Sequence, residues 1–321
     1  MKQIFDAVNR IFEEADFTGQ PANLYAPIAY TMRLGGKRLR PAMLIAANQM
    51  FGGDIETVRE AAIGIEMFHN FTLLHDDLMD HSPIRRGEPT VYRKWNENTA
   101  ILSGDTMLLM AYKHILATQH PQMQQIIDCF NETALGVCAG QQLDMDFETC
   151  DDVTLDEYIE MIQLKTAVLI AGALKIGALY AHAPSDSTKK LYDYGIELGI
   201  AFQLQDDLLD AFGDVAAFGK KPGQDIIDNK KTYLYLKALQ VADRQQRALL
   251  DTQYHTHPDD PQTKIEKVIG LYRQLDIKTM VESEINQRTQ RALEILHGIE
   301  IDEAKKKPLE MFTVQLIGRQ K

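Results

Sequence analysis

Apolar residues return every three or four positions along most of this chain, the period of an α-helix with one buried face. The first run is Ile4, Phe5, Val8, Ile11 and Phe12. Acidic residues interrupt it throughout, so it reads as an amphipathic helix and not as a signal peptide. Further runs cover 41–50, 57–80, 99–118, 121–148, 155–181, 188–214, 231–240 and 263–299. Gly35-Gly36, Gly52-Gly53, Pro83, Gly87 and Pro222-Gly223 punctuate them, as turn chemistry expects. No stretch shows a convincing period of two, which a half-buried strand needs. The pattern predicts an all-α fold, a single large bundle of long helices around a central cavity, with residues 1–321 as one domain. No short-period repeat and no Pro/Gly/Ser-rich linker divides it.

Composition narrows the function classes. A length of 321 residues with 45% hydrophobic content supports a large core. A net charge of −12 argues against non-specific nucleic-acid binding. The most membrane-like segment, 166–183, carries Lys175 near its middle and is barely long enough to span a bilayer. It is expected to be a buried core helix, and the chain is expected not to span a membrane. Cys129, Cys138 and Cys150 make no disulfide framework and no zinc spacing, which fits a reducing cytoplasm.

Against this background LLHDDLMD (73–80) is anomalous, because three aspartates interrupt an apolar run. On a helix Asp76 and Asp80 are one turn apart, about 6 Å along the axis and on one face, while Asp77 points elsewhere. Like charges at that spacing repel unless a cation or a positive partner joins them. QDDLLD (205–210) repeats the pattern about 130 residues later, so Asp206 and Asp210 offer the same arrangement. Oxygen-only ligands select hard cations, and Mg²⁺ binds a few carboxylates with water and phosphate completing its shell. Two such helices facing each other would grip a diphosphate through Mg²⁺. A single DDxxD is more often the solvated face of a helix. His75 and His81 have no i, i+4 partner on the carboxylate face and only flank it.

The basic clusters weigh against the solvated-face reading. GGKRLRP (35–41) brings Lys37, Arg38 and Arg40 to a predicted helix start, where backbone N–H groups also converge on anions. Arg85 and Arg86 follow the first aspartate motif directly; Lys165, Lys220-Lys221 and Lys230-Lys231 come later. An acidic protein that keeps cations beside both aspartate motifs is expected to bind a phosphorylated ligand.

In order, GGKRLRP, His69, DDLMD with RRGEPT, GDTM (104–107), LKT (164–166), FQLQDDLLD and GKKPGQD with the following lysines resemble the head-to-tail trans-prenyl diphosphate synthases, the farnesyl and geranylgeranyl diphosphate synthases and their longer-chain relatives. The resemblance covers roughly residues 30 to 235. It implies an all-α homodimer and a Mg²⁺-dependent alkyl transfer from an allylic diphosphate (dimethylallyl, geranyl or farnesyl) to isopentenyl diphosphate. It further implies Asp76, Asp80 and Asp206 as Mg²⁺ ligands, with Asp77 and Asp210 in support. Arg85, Lys165 and Lys230 are implied to clamp the allylic diphosphate, with Lys220 closing on it. Lys37, Arg40, His69 and Arg86 are implied to hold isopentenyl diphosphate. Thr166 and Gln203 are placed near the allylic carbons, and the tail GRQK (318–321) over the site.

Product length is expected to follow the depth of an apolar pocket. Phe71, five residues before Asp76, lies about 7.5 Å down the helix as its floor, and Thr72 beside it is small. That pair looks most like a geranylgeranyl diphosphate synthase, with farnesyl second and longer chains third. Met107, Leu108 and Met110 are further floor candidates. A class I terpene cyclase shares the fold and the first motif, but DDLLD and GGKRLRP disfavour it. A non-catalytic subunit of a heteromeric synthase typically loses aspartates from one motif, and this chain keeps all six.

Overall fold

The computed structural model describes residues 1–213, 223–255 and 260–318. Lys220 and residues 319–321 of the tail lie outside the described residues. The chain divides into two compact units, 1–131 with 172–191 and 301–309, and 132–171 with 192–300 and 310–321.

The first unit opens with helices α1 (Lys2–Glu14), α2 (Ala22–Arg33), α3 (Leu39–Met50) and α4 (Ile55–Met79). Helix α1 buries Ile4, Ala7, Val8, Ile11 and Phe12, the face its sequence period marked out. Asp54 caps α4 by accepting from the Glu56 N–H, satisfying one of the donors a helix start leaves open. Helix α4 buries Val58, Ile65, Met67, Phe68 and Phe71 among others. It packs on α3 and on α6 (Glu97–Ile115). Full burial of each such side chain stabilises by about 1.5–3 kcal/mol. Rigidly seated along its length, α4 presents the first aspartate motif at its C-terminal end.

Between α4 and α6 lie a hairpin, β1 (Ile84–Arg85) with β2 (Glu88–Pro89), and the short α5 (Val91–Lys94). The sequence pattern missed this hairpin. Its strands are two residues each, too short to alternate visibly. Its turn is Arg86-Gly87, with φ of 54° and 83°, the positive values that two-residue hairpins of the primed type use.

Helix α7 (Met123–Thr149) leads to the second unit, where α8 (Leu155–Ile162) starts with a full capping box between Thr154 and Glu157. A π-helical turn (Gln163–Ala167), α9 (Val168–Tyr180) and α10 (Ser185–Phe212) follow. The remainder is α11 (Gln224–Ile227), α12 (Tyr233–Val241), α13 (Arg244–Tyr254), α14 (Pro261–Gln274), α15 (Ile277–His297) and α16 (Glu303–Ile317). The core of the second unit includes Tyr158, Met161, Leu204, Leu208, Tyr233, Tyr254, Tyr272 and Ile277.

Two further departures from the periodicity are local. The run 263–299 breaks at Asp276, which takes a left-handed φ of 54° between α14 and α15. The run 155–181 is helical throughout but swells into the π turn, which carries Lys165 and Thr166. A Cβ on Gly140 of α7 would collide with the backbone N of Lys165, so glycine alone lets the widened turn approach that closely. Leu155–Tyr180 is apolar and long enough to cross a membrane by length and composition, and 72% of its most apolar window is buried inside the protein.

Candidate active site

In the first unit the glycine turn, the hairpin and α4 bring several basic side chains together. Gly35 and Gly36 have φ of 78° and 129°. A Cβ on Gly36 would lie 2.8 Å from Arg86 Cζ, so the guanidinium rests on glycine backbone. Arg86 also donates from Nη1 to the Gly35 carbonyl. Arg40, in the first turn of α3, donates from Nη1 to His69 Nε2 at 3.1 Å, while its buried Nε has no hydrogen-bond partner. Arg38 stands instead over the Phe12 ring at 4.5 Å. Lys37 is exposed in the same turn.

Because arginine can only donate, His69 accepts at Nε2 and carries its proton on Nδ1. Burial, and then the cations Arg40, Arg86 and Arg85, hold its pKa well below the ordinary histidine value. Burial also lowers Arg40, to about 10, which leaves it charged at neutral pH. As pH falls through about 6.5 the unfolded chain gains a proton at His69 that the folded chain refuses, so folding stability declines. Unfolding midpoints between pH 7 and 5.5 should therefore fall more in the wild type than in His69→Gln. Equal slopes would contradict this.

The first aspartate motif lies two to three turns further along α4, where Asp76 and Asp80 share the face of His69. Asp76 is half-buried, Asp77 buried and Asp80 exposed at the end of α4. The Asp80 N–H still donates to the Asp76 carbonyl at 2.9 Å, so the last turn keeps both side chains on one face. Arg85 reaches Asp77 at 2.7 Å and Asp76 at 3.5 Å. Burial raises Asp77 to about 6 despite the lowering effect of Arg85. Below this motif Phe71 is buried, with its ring edge-on to His75 at 4.9 Å and tilted against Phe68 at 5.6 Å. Phe68 meets Phe130 at 5.4 Å, and Phe130 meets Tyr112 at 4.9 Å, so an aromatic column descends from Phe71. Thr72 donates to the His69 carbonyl at 2.8 Å.

In the second unit a cavity of about 120 Å³ is lined by Lys165, Thr166, Gln203, Asp207 and Lys230, with Phe147, Met161 and Ile162 as apolar wall. Thr166 donates to Gln203 Oε1 at 3.1 Å, and Gln203 Nε2 donates to Asp207 Oδ1 at 3.0 Å. Tyr158 donates to Asp207 Oδ2. Burial pushes Asp207 up to about 7, against these hydrogen bonds. Asp206 is half-buried on α10. Asp210 accepts from the Asp225 N–H at 3.1 Å, and burial raises its pKa. Lys165 meets Asp144 at 2.5 Å.

The family described as polyprenyl synthetase matches residues 21–272. This chain belongs to that family. A geranylgeranyl diphosphate synthase of Methanosarcina mazei is 42% identical over 223 residues, 69% of each chain. A geranylfarnesyl diphosphate synthase of Natronomonas pharaonis is 38% identical over 251 residues, 73% of this chain and 74% of that one. The crystal structure of a geranylgeranyl pyrophosphate synthase superposes with a TM-score of 0.92 at 42% identity, covering 100% of this chain and 98% of the other. The all-α fold is therefore that of the prenyl synthases, and this polyprenyl synthetase is a prenyltransferase.

Five residues in and around these sites escaped the sequence reading. Asp144, Asp225 and Tyr158 line the cavity in the second unit. Glu66 is buried on α4 among the fields of Arg40, Arg86 and Arg38, and burial raises its pKa. Lys264 is buried on α14 and donates to Asn229, which has a left-handed φ of 58° just before Lys230. Two of them left a trace in the sequence: Asp225 ends the GKKPGQD motif, and Asp144 belongs to the acidic LDMD near the end of α7.

Proposed function

We propose that this polyprenyl synthetase elongates an allylic diphosphate with isopentenyl diphosphate and stops mainly at geranylgeranyl diphosphate, with farnesyl and longer products as the alternatives. Both units serve this one reaction as a single catalytic domain. The observation that carries the reading is the cluster of Arg40, His69 and Arg86. Arg40 keeps a buried, unsatisfied Nε–H, which costs stability unless an anion completes it. The diphosphate of isopentenyl diphosphate is that anion, with Lys37 at its rim.

The acidic residues fit Mg²⁺. Asp76, Asp80 and Asp206 are oxygen donors within reach of solvent, as a partly hydrated hard cation requires. Bound there, Mg²⁺ would neutralise charge growing on a departing diphosphate. Asp77 and Asp210 are engaged by Arg85 and by the Asp225 N–H, so they hold structure around the ligands.

Arg85, Lys165 and Lys230 supply fixed positive charge to the allylic diphosphate, the contribution that most eases its departure. Lys165 exchanges Asp144 for that diphosphate when substrate binds. The Gln203 and Thr166 oxygens, both at the cavity, stabilise the allylic cation left behind. Phe147, Met161 and Ile162 keep water from it. Among the described residues no side chain is placed as a base, so the departing diphosphate takes the proton. The test is diphosphate release with both substrates and Mg²⁺. Release that requires both supports condensation, whereas equal release from the allylic substrate alone contradicts it.

The enzyme is proposed to act as a cytoplasmic homodimer. Leu102, Leu109 and Leu116 are exposed at seven-residue spacing along α6 and just past its end, an apolar stripe suited to a second copy. Leu109→Glu should shift the protein toward monomer in sedimentation. An unchanged dimer would place the interface elsewhere.

A further inference from the structure

The proposed reaction makes no use of the buried hydroxyl of Tyr158 in the second unit. This tyrosine is 4% exposed and sits on α8, one turn before the π segment. It donates to Asp207 Oδ2, and Asp207 Oδ1 accepts from Gln203 Nε2. The two oxygens of Asp207 are thus turned to Tyr158 and Gln203. A carboxylate repels an amide oxygen and attracts an amide N–H, so its position decides which end of the Gln203 amide faces it. With Nε2 held by Asp207, Oε1 faces Thr166, whose hydroxyl donates to it at 3.1 Å. A carbonyl oxygen carries two lone pairs. Thr166 occupies one, and the other remains for the cavity that both residues line.

We infer that Tyr158 is a positioning residue: through Asp207 it locks the Gln203 amide with its oxygen toward the cavity, where that oxygen stabilises the allylic cation. The two adjacent aspartates of the second motif then divide their work. Asp206 would ligate metal, and Asp207 orients the amide. The chain Tyr158–Asp207–Gln203–Thr166 links α8, α10 and the π turn by side-chain hydrogen bonds alone. Networks of this kind fix orientation because each donor has one acceptor that suits it.

The inference rests on the proposed condensation, so the wild type is assayed first; no condensation by folded wild type would refute the reaction before any variant is tested. In an active enzyme Tyr158→Phe keeps the ring and removes the donor. Turnover should fall about 10- to 100-fold, the size expected when a hydrogen bond to a charged group is lost from a reacting geometry. KM for both substrates and the half-saturating Mg²⁺ should stay within about threefold, as for a group that acts only on the reacting atoms. In a Gln203→Ala background the same substitution should cost less than about twofold, because residues acting as a unit are not additive. Equal losses in both backgrounds, or a loss in KM with turnover intact, would overturn the inference.

Circular dichroism reports whether Tyr158→Phe folds. Should it not fold, Asp207→Asn is the second variant. The asparagine amide can no longer accept on both sides, so turnover should fall while half-saturating Mg²⁺ stays unchanged. A several-fold rise in the Mg²⁺ requirement would instead make Asp207 a metal ligand and reject the division of roles.

Discussion

Asp76→Asn is expected to lower turnover by about 10²- to 10³-fold or more, the scale of removing one preorganised charge-stabilising group. The substitution keeps the shape of the side chain and removes its charge. Asp76 sits where Asp77 and Asp80 also press negative charge together, and both neighbours of Asp77 contribute to its raised pKa. Without metal, removing one of these charges relieves repulsion, while the 3.5 Å pair with Arg85 is weakened. Arg85 keeps its closer contact with Asp77 at 2.7 Å. The two effects oppose each other, so the metal-free melting temperature should change little. Rate and stability therefore separate, which identifies a residue used in chemistry. An Asp76→Asn enzyme near full activity would remove the metal assignment.

Phe71→Ala is expected to lengthen the product by at least one isoprene unit. The Phe71 ring is buried between His75 and Phe68 at the top of the aromatic column that continues to Phe130 and Tyr112. Deleting it opens a void the growing tail can enter before the next ring stops it. The same deletion costs about 3–5 kcal/mol of stability, as large-to-small core changes do. The product shift should be read beside a melting curve, with Phe71→Leu as the milder variant. Folded variants with unchanged product lengths would place the floor deeper, at Phe130 or Met107.

The helices were largely legible because their signal is repetitive. Ile4 through Phe12 and the α4 run each show the same period several times over. The aspartate motifs were legible because a charged cluster in an apolar run is costly and therefore informative. What escaped the sequence depends on contacts between distant positions. The Arg86-Gly87 hairpin has strands too short for any period. The π turn at Gln163–Ala167 depends on the space left by Gly140, more than twenty residues earlier. Tyr158 and Asp207 are 49 positions apart, and no local pattern joins them. Lys264 belongs to a stretch with no recognisable chemistry, yet it holds the loop before Lys230 through Asn229.

The most direct test gives the purified protein Mg²⁺, labelled isopentenyl diphosphate and, separately, dimethylallyl, geranyl and farnesyl diphosphates, and resolves the products by chain length. The account predicts condensation with each starter that the site accepts and accumulation of geranylgeranyl diphosphate. Accumulation at farnesyl or beyond geranylgeranyl would keep the reaction and contradict Phe71 as the floor. No condensation with any starter, from folded protein with Mg²⁺ present, would contradict the central claim.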